Sequence, residues 1–176
     1  TVLYAEDQDN QWHPASLTKI MTAYVVFDAI KAGKISLDKK IGCSELAFSQ
    51  PPSKVGLPVG AEMTVETALQ ALIVKSANDV AVMLAEAVAG SQDAFVETMN
   101  ATAARLGMTR TKFDDPSGLS SNNVSNARDL AKLITVASRD TRIREFSTLE
   151  SHSVKAGHSM LTYRNTNLLV GKPDWN

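Results

Sequence analysis

The sequence predicts an α+β fold, a helical cluster packed on an antiparallel sheet. Three observations predict it. Apolar residues recur at helical spacing through most of the stretch from residue 16 to residue 137. Strand-like runs stand at the two ends, Thr1–Ala5 and Leu149–Tyr163. The composition is that of an ordinary globular chain, with 176 residues, 44% hydrophobic and 21% charged, enough to bury one core without disulfide or metal staples. A sheet assembled from both ends and packed against the helices accommodates that order.

Taken along the chain, Thr1–Ala5 reads as a short strand. His13-Pro14-Ala15 breaks it, and a helix opens at Ser16. In that helix Ile20, Met21, Tyr24, Val25, Phe27 and Ile30 recur near helical spacing, and Gly33 closes the run. Residues 36–62 hold Pro51-Pro52, Gly56, Pro58 and Gly60 and read as a surface excursion with little regular structure. Thr64 caps a helix through Val74, Ser76-Ala77-Asn78 interrupts it, and Asp79–Ala89 resumes helix up to Gly90. Ser91–Leu106 is amphipathic, with Gly107 at its stop. Residues 113–124 are loop, with Asp115-Pro-Ser-Gly118 as turn chemistry. Asn126–Ala137 is helical, and Leu149–Tyr163 suits a hairpin.

Composition narrows the function classes. A net charge of −1 gives no electrostatic argument for nucleic acid or an anionic surface. Cys43 is the single cysteine, which excludes an intrachain disulfide and any cysteine-pair zinc site and reads as a small buried hydrophobe. His13, His152 and His158 lack metal-ligand spacing, and no acid marks a Ser-His-Asp triad around His13. Met21, Met83 and Met99 read as core, and Arg128-Asp129 as an ion pair. Apolar runs such as Ala68–Val74 are too short to span a bilayer. The chain opens within a strand-like segment without an initiating Met, which suggests a mature or trimmed chain, so a missing leader does not argue for the cytoplasm.

Two short elements carry chemistry. In Ser16-Leu-Thr-Lys19 the serine and lysine, three apart on a helix, share a face. A serine hydroxyl needs a base within hydrogen-bond reach to become a nucleophile. A desolvated lysine loses its proton more readily, and the helix N-terminus favours negative charge developing near Ser16. The motif alone is weak, because Ser36-Leu-Asp-Lys39 has the same spacing in a loop-like stretch. Helix placement after Pro14-Ala15 separates the two. The second element, Ser76-Ala-Asn78, lies between two helices, where both side chains can face a cleft. Its bland reading is a helix break with capping residues, and Ser120-Ser-Asn122 and Ser121-Asn-Asn123 repeat the pattern.

In combination, Pro14-Ala-Ser-Leu-Thr-Lys-Ile-Met-Thr22 followed by Val74-Lys-Ser-Ala-Asn-Asp79 resembles the low-molecular-mass penicillin-binding proteins, the serine D-alanyl-D-alanine carboxypeptidase family (peptidase family S11). The likeness continues in order through Ala89-Gly90, Phe95 to Asn100, Leu106-Gly-Met-Thr109, Phe113, Gly118-Leu119, Ser125, Ala127-Arg-Asp-Leu130 and Arg164-Asn-Thr-Asn167. It implies a β-lactamase/transpeptidase-like fold, here incomplete at both ends. It also implies a serine DD-peptidase acting on peptidoglycan stem peptides, with β-lactams as covalent inhibitors. Ser16 would form the acyl-enzyme, Lys19 would take its proton, Ser76 would relay a proton to the leaving amine, and Asn78 would bind substrate. The Ser16 backbone N–H would be one of two oxyanion donors. No cofactor and no metal are implied, and the expected place is exported, in the periplasm or cell envelope.

The family's third motif, Lys-Thr-Gly, is absent from these residues. Lys31-Ala-Gly33, Lys155-Ala-Gly157 and Gly171-Lys-Pro173 do not supply it. The expectation is therefore a single transpeptidase-like domain over 1–176, truncated before that motif, inactive by itself and with a sheet edge left open. Gly118–Ser125 and Pro173-Asp-Trp-Asn176 resemble the endopeptidase branch, whereas Ser53–Gly60 and Ser76-Ala-Asn78 resemble the carboxypeptidases. The alternatives are a non-catalytic cell-wall binding module, which the absent third motif supports, and a β-lactamase-like penicillin hydrolase, which lacks its Glu-x-x-Leu-Asn run here.

Overall fold

The computed structural model describes residues 2–156 and 159–172. A single 3₁₀ turn, Ala15–Leu17, leads into α1 (Thr18–Lys31). The chain then forms β1 (Lys40–Gly42), α2 (Glu45–Phe48), β2 (Glu62–Thr64), α3 (Val65–Lys75), α4 (Asn78–Ala89) and α5 (Gln92–Arg105). It ends in α6 (Ala127–Ala137), α7 (Thr141–Ser147) and the strands β3 (Ser151–Ala156) and β4 (Ser159–Arg164).

The helices start where short polar side chains can satisfy their free N–H groups. Ser44, Thr64, Ser91, Asn126 and Asp140 each accept a backbone N–H of the first turn, and each such cap stabilises by about 1 kcal/mol. Gly90 ends α4 in the left-handed region, at φ +84°, where a residue without Cβ is at ease.

The core lies around α3 and α4. Every residue from Asn78 to Ala85 is buried, and from Val80 to Ala85 the helix is apolar all round, as expected of a buried helix. α4 packs on α1, α2, α3 and α5, while the β3–β4 hairpin and α7 cover α3. In the antiparallel hairpin Val154 stands opposite Leu161 and is buried against the core. Met21, Met83 and Met99 are core residues. Cys43 is buried, with its thiol directed at the Leu57 carbonyl, and burial pushes that thiol up.

Four expectations change. Residues 2–5 are irregular rather than a strand, with Val2, Leu3 and Tyr4 largely exposed; a strand needs a ladder partner, and none of the described residues pairs with them. The sheet is accordingly not drawn from both ends. Trp12 makes an isolated bridge to Ser125 instead, and the strands lie in two separate two-stranded ladders, β1–β2 and β3–β4. Residues 36–62 are more than an excursion, because β1 and β2 pair with Ile41 opposite Met63 and Ile41, Ala47, Val55 and Leu57 enter the core. Finally, Arg128 and Asp129 do not pair with each other. Arg128 grips Asp9, and Asp129 pairs with Lys132, because neighbours on a helix point about 100° apart. The helix α7, capped by Asp140, was not expected. The readings placed on His158 and on Pro173–Asn176 lie outside the described residues.

Candidate active site

The site begins with an awkward backbone. Ala15 has φ +48°, a conformation that disfavours a residue with a Cβ by about 1 kcal/mol or more. That turn swings Ser16 out to solvent at the mouth of α1, while Lys19, one turn on, points inward and is only 5% exposed. Lys19 Nζ lies 3.3 Å from Ser16 Oγ, and it donates at 2.7 Å to the Ser117 carbonyl. Burial pushes its amine down to about 8, and the Asp115 carboxylate opposes that fall. A buried ammonium loses hydration it cannot fully recover, so the neutral amine is favoured. This is the state in which a lysine can take a serine proton.

Ser16, Lys19 and Ser76 line one cavity of about 530 Å³, whose remaining wall includes Ile20, Leu72, Ile134, Ile143, Arg144 and Thr166. Ser76 ends α3 with φ +58° and is half-buried. The second motif is thus a kink held open between two helices. Among the described residues it makes no hydrogen bond to Ser16 or Lys19.

Asn78 behaves differently from the other three. It opens α4, is nearly inaccessible, and does not line that cavity. Its side-chain amide donates to the Pro51 carbonyl at 2.9 Å, and its backbone N–H to the Ser53 carbonyl at 2.7 Å. Ser53 Oγ in turn donates to the Lys75 carbonyl, and the Asp79 carboxylate accepts from Val55 and Gly56 N–H. Residues 51–56 therefore buttress the 75–79 turn. Tyr163 donates to the Val55 carbonyl and Thr166 N–H to that of Val74, which ties the hairpin to the same place. Asn165, within the Arg164–Asn167 run, donates to the carbonyls of Ser147 and Leu149 and so fixes α7 beside the cavity.

The loop of residues 113–124 closes the other side of Lys19. Thr22 Oγ1 donates to the Pro116 carbonyl at 2.6 Å. Gly118, at φ +87°, lies so close to α1 that a Cβ on it would stand 1.9 Å from the Ala15 oxygen. Sequence reasoning recognised 115–118 as a turn and missed that it supplies the acceptor for Lys19. The available signal was a glycine at the end of an Asp-Pro-Ser-Gly run, which marks either a turn or a close backbone approach.

The decoy motif is separate from this place. Ser36 and Lys39 border a different depression with Lys34 and Arg142. His13 is exposed and accompanies the Asn123 carbonyl; His152 is partly buried, and burial lowers its imidazole. Neither joins Ser16.

Three comparisons bear on this arrangement. The family model described as D-alanyl-D-alanine carboxypeptidase, Peptidase_S11, matches residues 1–176. The chain is 35% identical over 171 residues to D-alanyl-D-alanine carboxypeptidase DacF of Bacillus subtilis, covering 96% of this chain and 44% of that protein. It is also 35% identical over 181 aligned residues to a D-alanyl-D-alanine endopeptidase of Pseudomonas aeruginosa, covering 99% and 56%. The chain thus spans about half the length of these curated relatives. Among solved structures, penicillin binding protein 6B from Escherichia coli superposes with a TM-score of 0.88 at 31% identity, over 98% of this chain and 56% of that one. Penicillin binding protein 5 from Haemophilus influenzae gives 0.89 at 33% identity, over 97% and 50%. The α+β, β-lactamase/transpeptidase-like fold expected from the sequence agrees with these neighbours.

Proposed function

The chain belongs to the D-alanyl-D-alanine carboxypeptidase family, Peptidase_S11, and from that membership we propose that it carries the nucleophile half of a serine DD-peptidase acting on peptidoglycan stem peptides. The observation that carries the assignment is the Ser16–Lys19 pair, with a buried amine lowered to about 8 and 3.3 Å from the hydroxyl.

In the proposed reaction Ser16 Oγ attacks the carbonyl carbon of the penultimate D-alanine, and its proton passes to Lys19. The new C–O bond forms as the C–N bond to the terminal D-alanine breaks, and Ser76 delivers the proton to the leaving amine. Water then hydrolyses the ester and regenerates Ser16. The Ser16 N–H serves as an oxyanion donor, an interaction worth roughly 3 kcal/mol in related chemistry. Asn78 keeps its Oδ1 and second N–H for substrate while one N–H holds Pro51, and binding requires the nearly inaccessible side chain to be uncovered. Residues 1–176 are read as part of one transpeptidase-like domain, in a protein that works outside the cytoplasm, in the periplasm or cell envelope. A β-lactam, whose strained amide mimics the scissile bond, should acylate the same serine.

Both the carboxypeptidase and the endopeptidase assignments stand at the same sequence identity. The test is to incubate the full-length protein with a labelled penicillin and map the adduct by mass spectrometry. Modification at Ser16, lost in Ser16→Ala, supports the reading, and no adduct on Ser16 overturns it. Release of free D-alanine from a pentapeptide then assigns carboxypeptidase activity, and cleavage of cross-linked dimers assigns endopeptidase activity.

A further inference from the structure

The candidate mechanism uses Ser16, Lys19, Ser76 and Asn78. Asp115 has no place in it, yet few side chains are as heavily engaged. Its carboxylate is buried and accepts from Ser117 N–H at 2.6 Å, from Ser117 Oγ at 2.8 Å, from Asn123 Nδ2 at 3.1 Å, and from the N–H groups of Gly118 and Ser120. Five donors converging on one carboxylate fold residues 115–120 into a fixed turn. The Ser117 carbonyl on that turn is the one that receives Lys19 Nζ, and Gly118 on it lies against the Ala15 carbonyl just before the nucleophile.

We propose that Asp115 is a positioning residue for the Ser16–Lys19 pair, folding the turn that holds the Lys19 acceptor and fixing an anion in the loop that covers Lys19. The proposal rests on the serine-peptidase reading above and deepens it. Asp115 touches neither substrate nor nucleophile and acts through Lys19.

The charge argument is simple to sign. Burial raises the Asp115 carboxyl, but the hydrogen bonds from Ser120, Ser117 and Gly118 outweigh it and leave the group below its ordinary value. It is therefore an anion at every pH where the enzyme would work. An anion beside an ammonium favours the protonated form, so Asp115 restrains the fall that burial imposes on Lys19. The other charged groups nearby are accounted for. Arg144 of α7 borders the same cavity, the Asp79 carboxylate of α4 is turned onto Val55 and Gly56, and Asp114 is turned onto Ser120 and Asn122. α3 brings the uncharged Ser76 to the cavity.

The test is the pH–rate profile of Ser16 acylation by a penicillin, from pH 5 to 10, in the full-length protein and its Asp115→Asn variant. Removing the charge lets Lys19 deprotonate at lower pH. The acid limb should move down, so that the rate at pH 6 relative to the variant's own plateau rises about three- to tenfold. The plateau itself should fall as the turn loosens. A merely structural role would lower the plateau without moving the limb, and that outcome overturns the proposal. Because Asp115→Asn alone could fail to fold, the exchange variant Asp115→Asn/Asn123→Asp is measured with it. This pair keeps the contact between the two side chains and returns the charge to the same 113–124 loop, and should bring the limb back toward the wild-type position. An exchange variant that folds with its limb still shifted sinks the idea. Asp114→Asn should leave the limb unmoved. Failure of the wild type to acylate at Ser16 overturns the peptidase reading, whereas wild-type acylation with an unmoved Asp115→Asn limb overturns only this inference.

Discussion

Replacing Gly118 with alanine tests whether the 115–120 turn and the Ser16 backbone form one fitted unit. The perturbation is a single methyl group. Placed on the existing backbone, it would lie 1.9 Å from the Ala15 oxygen and 2.5 Å from its carbonyl carbon. Contacts of this kind do not go below 3.0 Å, so the turn and the entry to α1 must separate by about 1.1 Å. Two costs follow. Holding a residue with a Cβ at φ +87° costs about 1–2 kcal/mol, and forcing apart close-packed backbone costs about 1–3 kcal/mol more. For a chain of this size, a total of about 2–5 kcal/mol lowers the melting temperature by roughly 4–20 °C. The same displacement draws the Ser117 carbonyl away from Lys19, and a misplacement near 1 Å costs on the order of 100-fold in rate. The assay is the second-order rate of acylation by a fluorescent penicillin, paired with a thermal melt. Gly107→Ala supplies the control, since Gly107 also has positive φ (+69°) but nothing within 4 Å of its added Cβ. It should lose only the conformational part of the stability and keep its acylation rate. Gly118→Ala acylating within twofold of wild type and melting no lower than Gly107→Ala would refute the fitted-unit argument.

Two further outcomes follow from the same geometry. Lys19→Met should abolish acylation, and its stability relative to wild type should fall as pH rises. A lysine lowered from 10.5 to about 8 binds fewer protons folded than unfolded, so wild-type stability rises with pH while the methionine variant has no such term; urea-unfolding free energies compared at pH 7 and pH 10 should show the variant losing about 2.5 kcal/mol against wild type, and a constant difference would contradict a buried, easily deprotonated Lys19. Asn165→Ala leaves the Ser147 and Leu149 carbonyls without their side-chain donor, and should destabilise by about 2–3 kcal/mol, with a loss under 0.5 kcal/mol in urea unfolding counting against the role given to this residue.

What the sequence made legible follows contact range. Ser16 and Lys19 meet because three residues make about one helical turn, so the spacing together with the helix placement after Pro14-Ala15 predicts the contact. Ser76 stands at a helix break that two adjacent helical patterns announce, and the hairpin and the helix caps are equally local. The Lys19 acceptor is not local. It sits 98 residues away on a turn whose sequence explains its shape but not its neighbour. The 36–62 stretch hides its packing for a similar reason. Its prolines and glycines describe how the chain bends, while the burial of Val55 and Leu57 and the grip of Asp79 on residues 55–56 depend on α4 lying beneath. Asn78 adds a different lesson, since motif position predicted a ligand-facing amide and the fold engages that amide with Pro51. For Arg128 and Asp129, adjacency in sequence suggested a pair, and helical rotation sends each to its own partner.

The chemical sense of the site lies in the balance struck at Lys19. At its ordinary value of 10.5 only about 3 in 10,000 of the lysine side chains would be neutral at pH 7, whereas at about 8 roughly one in ten is. Burial supplies that gain of a few hundredfold in neutral amine. Further burial without a counter-charge would not extend the benefit indefinitely, because an amine that releases its proton more easily also accepts one from serine less willingly, and general-base catalysis is best served by a pKa near the working pH. The Asp115 carboxylate opposes the desolvation and restrains the fall. One loop therefore does both things at once: it supplies the Ser117 carbonyl that holds Lys19, and it brings the anion that limits the consequence of burial. In the proposed reaction the turn at the head of α1 provides the nucleophile and α1 the base, while the loop sets how strong that base is.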